Sequence, residues 1–158
     1  MAKKKVLFVC IKNSARSQMA EALMKKYYSD YFDVESSGFE PGIINKLAVE
    51  ALKIDEEIDI SSHSSQSVFE LFKKGKVYNY VITVCDEASA EKCPVFPGLN
   101  YRIHWSFKDP ASLEGTDEEK LAQTIAIKND IKAKIDEFAN LVISGKIREN
   151  IPKNWKIF

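Results

Sequence analysis

Apolar positions follow two rhythms along this chain. Val6–Val9 is an unbroken apolar run rich in β-branched residues, the pattern of a strand buried on both faces. Through Ser17–Tyr28 the apolar residues recur at helical spacing, as Met19, Leu23 and Tyr27 and as Ala20 and Met24. Phe32–Ser37 reads as a second strand, closed by Gly38. Leu47–Lys53 reads as a short helix on a Leu47, Ala48, Ala51, Leu52 face, with Asn45 as its cap. Ser65 or Ser67 starts a further helix through Lys74, Tyr80–Val84 is a third buried strand and Tyr101–Trp105 a fourth. A long amphipathic helix follows, from about Thr116 to about Ser144. Thr116 and Glu119 have capping-box spacing at its start, Ile127, Ile131, Ile135, Phe138 and Leu141 face the core, and Gly145 ends it.

Strands separated by helical segments imply crossover connections and a parallel sheet. The expected fold is a single α/β domain of three layers, a small sheet of about four parallel strands with helices on both faces. That domain is expected over residues 1–145. Residues 146–158 form a basic C-terminal tail with no legible motif, ending in an aromatic pair, Trp155 and Phe158, that looks exposed. In such folds the binding crevice lies at the carboxyl ends of the strands.

Composition narrows the function. At 158 residues, 45% hydrophobic and 29% charged, the chain fits one ordinary globular domain and excludes a disordered one. The 23 basic side chains cancel the 23 acidic ones, so nothing calls for nucleic acid or a membrane surface. No apolar run approaches the ~18 residues of a membrane span, and no secretion signal is legible, so a cytoplasmic location is expected. A monomer is the default. Three cysteines are too few, and odd in number, for a disulfide scaffold; they are buried bystanders or working thiols.

The first strand ends in Cys10, Ile11, Lys12, Asn13, Ser14, Ala15, Arg16 and Ser17, directly before a helix. Wrapped as a loop, the amides of these residues converge on a tetrahedral oxyanion, and the following helix adds its positive end. Arg16 supplies a planar fork for two oxygens. The same field favours the thiolate of Cys10, the form that attacks, and Ser17 can donate to its sulfur. Asn13 is one of the few residues that tolerates a left-handed turn. A cysteine and an arginine at this spacing would by themselves read as a core thiol and a surface charge. The buried strand before them and the helix after them decide for an oxyanion loop.

Cys10-x5-Arg16-Ser17 after an N-terminal strand resembles the low-molecular-weight tyrosine phosphatase family. The string Asn13-Ser14-Ala15-Arg16-Ser17-Gln18-Met19-Ala20-Glu21 is more similar to that family's redox branch, the thioredoxin-coupled arsenate reductases. So are Asp59-Ile60-Ser61-Ser62-His63, Val84-Cys85 followed by Cys93-Pro94, and His104-Trp105-Ser106-Phe107-Lys108-Asp109-Pro110-Ala111. The resemblance spans about residues 5 to 140. It implies a low-molecular-weight phosphatase-like fold and Asp109 as general acid. It also implies a relay in which Cys10 attacks arsenate, Cys85 then forms a disulfide with Cys10, and Cys93 takes Cys85 into a second disulfide. Thioredoxin or a similar dithiol would reduce that last bridge, with phosphate or sulfate as substrate analogues.

Cys85 closes the third strand, on the rim of Cys10, and Pro94 keeps Cys93 out of regular strand structure. The exchanges require Cα separations within roughly 7 Å, so Cys93 is expected in a mobile, partly exposed segment. Ala111 stands where related phosphatases carry a substrate-stacking aromatic, which points to a small oxyanion. Two departures are visible: Lys12 where many relatives have glycine, and Ala15 where many have a further cysteine. Some of these reductases hold potassium beside the loop. Asn13, Glu21 and Ser36 match that pattern, but Gln66 replaces its carboxylate, and no metal or cofactor is assigned. His63 and His104 read as structural, and Lys73, Lys74 and Lys76 as a solvated helix end. Two rivals stand beside the reductase. One is a tyrosine phosphatase working through a Cys10 phosphoenzyme, the other a non-catalytic oxyanion-binding domain.

Overall fold

A computed structural model describes residues 2–153 and 155–157. Strands β1 (Lys4–Cys10), β2 (Phe32–Gly38), β3 (Tyr80–Thr83) and β4 (Tyr101–His104) pair in parallel, in the order β2-β1-β3-β4. Helices α1 (Arg16–Tyr28), α2 (Lys46–Glu56), α3 (Val68–Lys73), α4 (Glu87–Ala90) and α5 (Asp117–Ile143) connect them. The strand order reverses between β1 and β3, and such a reversal opens a crevice beyond the carboxyl ends of the two strands. Cys10 is the last residue of β1, and Cys85 follows β3 by two residues.

Alternation along β1 divides the interior. Val6, Phe8 and Cys10 pack into the larger core with α1 and α5, together with Cys85, whereas Leu7 and Val9 pack into a second cluster with Val68 and Leu71 of α3, Tyr78, Phe96 and Cys93. The helices begin where their capping residues stand. Asn45 accepts from the amide of Ala48, and Ser67 rather than Ser65 caps α3. Thr116 and Glu119 close the capping box of α5, whose first turn carries Asp117, Glu118 and Glu119 against its positive end.

Three expectations are corrected. Tyr27 lies on the solvent side of α1 and donates its hydroxyl proton to Glu56, because the helical stripe it shares with Met19 and Leu23 drifts out of the core by its third turn. The polar stretch after Cys85, read as loop, contains α4, started by Asp86 accepting from the amide of Ser89. Trp155 is buried, its ring 5.2 Å from that of Trp105 and 6.3 Å from that of Phe138. Phe158 lies outside the described residues. Lys156–Ile157 adds a short antiparallel strand, β5, to the edge of β4, and so covers an edge that would otherwise be open.

Candidate active site

Residues 10–17 wrap around the end of β1, and the outward partners of their carbonyls define the loop. The carbonyls of Cys10, Ile11, Lys12 and Ser14 accept from the amides of Phe39, Glu40, Gly42 and Asn45, at 2.8–3.2 Å. That of Asn13 accepts from Nε2 of Gln18 at 3.1 Å. In a planar trans peptide the next N–H points opposite to the C=O, so turning the carbonyls outward turns the following amides inward. The amide of Asn13 reaches Sγ of Cys10 at 3.2 Å, as this predicts. The result is a cradle of N–H groups around the sulfur, with the start of α1 beneath it.

Asn13 takes the left-handed turn, at φ 52, and Lys12 avoids it. The Asn13 side chain then ties the loop down. Its Nδ2 donates to Ser17 Oγ at 2.7 Å and to Ser36 Oγ at 3.0 Å, and its Oδ1 accepts from the amide of Gln66 at 3.0 Å. Because Ser17 Oγ accepts from Asn13, its own proton is available to the Cys10 sulfur 2.9 Å away. Sequence reasoning passed over two supports. Gln18 bridges Asn13 to the carbonyl of Ser64 and to His63, and Gly38 packs so tightly under the loop that no β-carbon fits. The glycine that closes a strand beside the loop was the available signal for the second.

Glu21, Ser36, Asn13 and Gln66 do come together, but they do not fit a cation. The one carboxylate, Glu21, is shared by the Ser36 hydroxyl at 2.6 Å and Lys25 at 2.8 Å, and Gln66 Nε2 donates to the Ser36 carbonyl.

Arg16 is buried, with Nη1 donating to the carbonyl of Phe107 at 3.2 Å and Nη2 3.6 Å from Oδ2 of Asp109. Asp109 is 41% exposed in its side chain and accepts from the amide of Ala111, which aims its carboxylate across the loop mouth from a single 3-10 turn over Pro110–Ser112. His104, buried at the end of β4, bridges Thr83 Oγ1 at 2.7 Å and Ser106 Oγ at 2.8 Å. It thereby links the strand before Cys85 to the segment that carries Phe107 and Asp109. Burial lowers its pKa and favours the neutral ring.

The two further thiols are in different layers. Cys85 is fully buried in the layer of Cys10; burial pushes its pKa up to about 12, against the cation of Arg16. Cys93 lies in irregular structure, in keeping with Pro94, but it is only 5% exposed and not partly exposed as expected. It fills the second cluster against Phe96 and Tyr78, and burial pushes its pKa to about 11. The apolar residues around it, Val81 and Phe96 among them, make its buried position the favourable one for a reduced thiol.

The low molecular weight phosphotyrosine protein phosphatase family profile matches residues 5–142. The arsenate reductase of Halalkalibacterium halodurans is 44% identical over 140 residues, covering 88% of this chain and 97% of its own. Among solved structures, the arsenate reductase of Archaeoglobus fulgidus is 29% identical, with a TM-score of 0.61 over 83% of this chain and 98% of its own. A thioredoxin-dependent arsenate reductase of Corynebacterium glutamicum is 25% identical, with a TM-score of 0.59 over 85% of this chain and 62% of its own. By sequence over most of its length, and by the fold that sets Cys10 at the sheet's switch point, this chain belongs to the low molecular weight phosphotyrosine protein phosphatase family.

Proposed function

We propose that this protein reduces arsenate to arsenite through Cys10, Cys85 and Cys93, with a thioredoxin-class dithiol as the electron donor. The amide cradle and Arg16 hold the oxyanion, and the Cys10 thiolate attacks arsenic. A hydroxide leaves as water with the proton of Asp109, giving a Cys10–arsenic bond. Cys85 then attacks the Cys10 sulfur. The sulfur–arsenic electron pair passes to arsenic, which falls from the five-valent to the three-valent state and departs as arsenite, leaving a Cys10–Cys85 disulfide. Cys93 attacks Cys85, frees the Cys10 thiolate and forms the Cys85–Cys93 disulfide. The external dithiol supplies two electrons and two protons to restore both thiols.

The observation that carries this reading is the placement of Cys85, in the core layer of Cys10 and within the field of Arg16, at the switch point. A phosphatase has no use for a second thiol there. The reductases among the relatives support arsenate reduction. Phosphoester hydrolysis is the second reading, because Cys10, Arg16 and Asp109 alone make a phosphatase set. Ala111 leaves no aromatic wall for a phosphotyrosine ring.

The deciding experiment is arsenate-dependent NADPH oxidation with thioredoxin and thioredoxin reductase, run beside Cys93→Ser. Sustained turnover in the wild type that collapses to a single turnover in the variant supports the relay. Absence of arsenate-dependent oxidation in the wild type, with an aryl phosphate still hydrolysed, overturns it in favour of the phosphatase.

A further inference from the structure

Cys85 lies in the field of Arg16, and Cys93 has an arginine of its own. Arg102 stands opposite Val81 in the parallel ladder between β3 and β4, so both side chains leave the same face of the sheet. That is the face on which Val81 and Cys93 pack into the second cluster. From there Nη2 of Arg102 donates to the carbonyl of Cys93 at 3.0 Å. The rest of the surroundings keep Cys93 a thiol. Its Sγ donates weakly to the carbonyl of Pro94 at 3.7 Å. The other buried members of the cluster carry no charge, and their one phenol, Tyr78, donates to Glu35 at 3.2 Å. Burial holds the Cys93 pKa up, and the Arg102 cation draws it down.

We propose that Arg102 is a positioning residue for the last internal exchange: it fixes the carbonyl of Cys93 and sets positive charge beside the thiol, so that Cys93 reaches Cys85 as the thiolate. The inference rests on the relay proposed above. The thiolate is the form that attacks a disulfide, and a thiol in an apolar cluster ionises far less readily without a cation nearby. Cys93 gives its proton to solvent, and its sulfur attacks that of Cys85. The Cys85–Cys93 bond forms as the Cys10–Cys85 bond breaks, and the electron pair leaves with Cys10, which returns to the oxyanion loop as the thiolate. No electrons are gained or lost overall. Segment 86–99 shifts in this step, whereas Arg102 is anchored on β4, and the rotamer freedom of its stem lets the charge follow the sulfur.

The test reads the state of Cys93 apart from the relay. With Cys10→Ser and Cys85→Ser in place Cys93 is the one thiol left, and its rate of reaction with hydroxyethyl disulfide, an uncharged probe, follows its thiolate. Each unit of rise in its pKa cuts the thiolate about tenfold and raises its nucleophilicity about threefold, a net loss of about threefold. Arg102→Gln and Arg102→Met in that background should react about three- to tenfold more slowly at pH 7. Arg102→Lys, which keeps the charge, should recover most of the rate. Glutamine still offers the carbonyl a donor, so its slowness beside the recovery by lysine separates charge from a mere clamp. Glutamine as fast as arginine, or lysine as slow as methionine, overturns the role of Arg102 and leaves the relay standing. With all three cysteines restored and arsenate added without reductant, every Arg102 variant should release one equivalent of arsenite, because that burst uses Cys10 and Cys85 only. A burst lost in the variants alone overturns the proposal too, by making Arg102 a structural residue. A wild type that releases no arsenite, or that never joins Cys85 to Cys93, overturns the relay on which the proposal rests.

Discussion

A β-carbon at Gly38 would stand 2.7 Å from both the amide nitrogen of Asn13 and the carbonyl oxygen of Ile11. Both atoms belong to the loop that follows β1, and neither can yield without turning one of its amides. Gly38→Ala should therefore cost about 1–3 kcal/mol of stability by overpacking and lower arsenate turnover by at least about tenfold, chiefly through a raised KM for the oxyanion. Steady-state kinetics with urea unfolding on the same variant checks both numbers. An alanine enzyme with unchanged KM would mean that the amides do not bind the substrate. Lys12 shows the opposite economy. Its stem lies along Gly42, outside the cradle, because Asn13 takes the one left-handed position.

At the scale of elements, the segment from Asp86 to Leu99 is the part that the proposed chemistry must rearrange. Reduced Cys93 is buried between β3 and Phe96, while Cys85 faces the other core layer. A disulfide needs their Cα atoms within roughly 7 Å and their β-carbons turned toward each other. α4 is only four residues long and is held by the Asp86 cap, so little secondary structure opposes the change. Hydrogen exchange should show the amides of 87–99 at least about tenfold less protected in the Cys85–Cys93 oxidised form than in the reduced one, with β1 and α1 unchanged. Equal protection in both forms would contradict a relay through Cys93.

The molecule as a whole is braced far from the site by a buried ionic cluster. Glu56 ends α2 and accepts from Lys128 at 2.8 Å and Lys132 at 3.0 Å, both on α5, and from the Tyr27 hydroxyl on α1. Burial alone would raise its pKa, but the bonds from Lys128, Tyr27 and Lys132 outweigh it and bring the value from 4.5 down to about 2. A carboxylate depressed in the folded state contributes stability above its unfolded pKa and loses it as the pH falls through the folded one. The contribution, on the order of 3 kcal/mol, should be complete above pH 4.5 and disappear toward pH 2. Glu56→Gln should flatten that part of the curve of unfolding free energy against pH; an unaltered acid limb would assign the loss to other groups. Glu56→Ala should destabilise the protein by about 3 kcal/mol, because it leaves the fully buried Lys128 with Asp55, at 3.2 Å, as its remaining carboxylate.

α4 and β5 were not legible in the sequence, whereas the four parallel strands, the four longer helices, the caps at Asn45 and Thr116, and the Asn13 turn were, and the structure agrees with each. These features are set by neighbours along the chain, through apolar period, capping geometry and backbone sterics. Tertiary structure decided what depends on distant partners. Trp155 is buried because the chain's end returns to Trp105 and Phe138, and the partner of the Tyr27 hydroxyl is Glu56, on a different helix. Gly38 is irreplaceable only because another strand's loop rests on it. Cys93 is buried because α3 and Phe96 close over one face of the sheet, and no local pattern records which face a polar, loop-like segment will cover. Local rules act over a few residues, and they placed Cys10 at the end of β1; the layer each of the other thiols occupies was settled by packing.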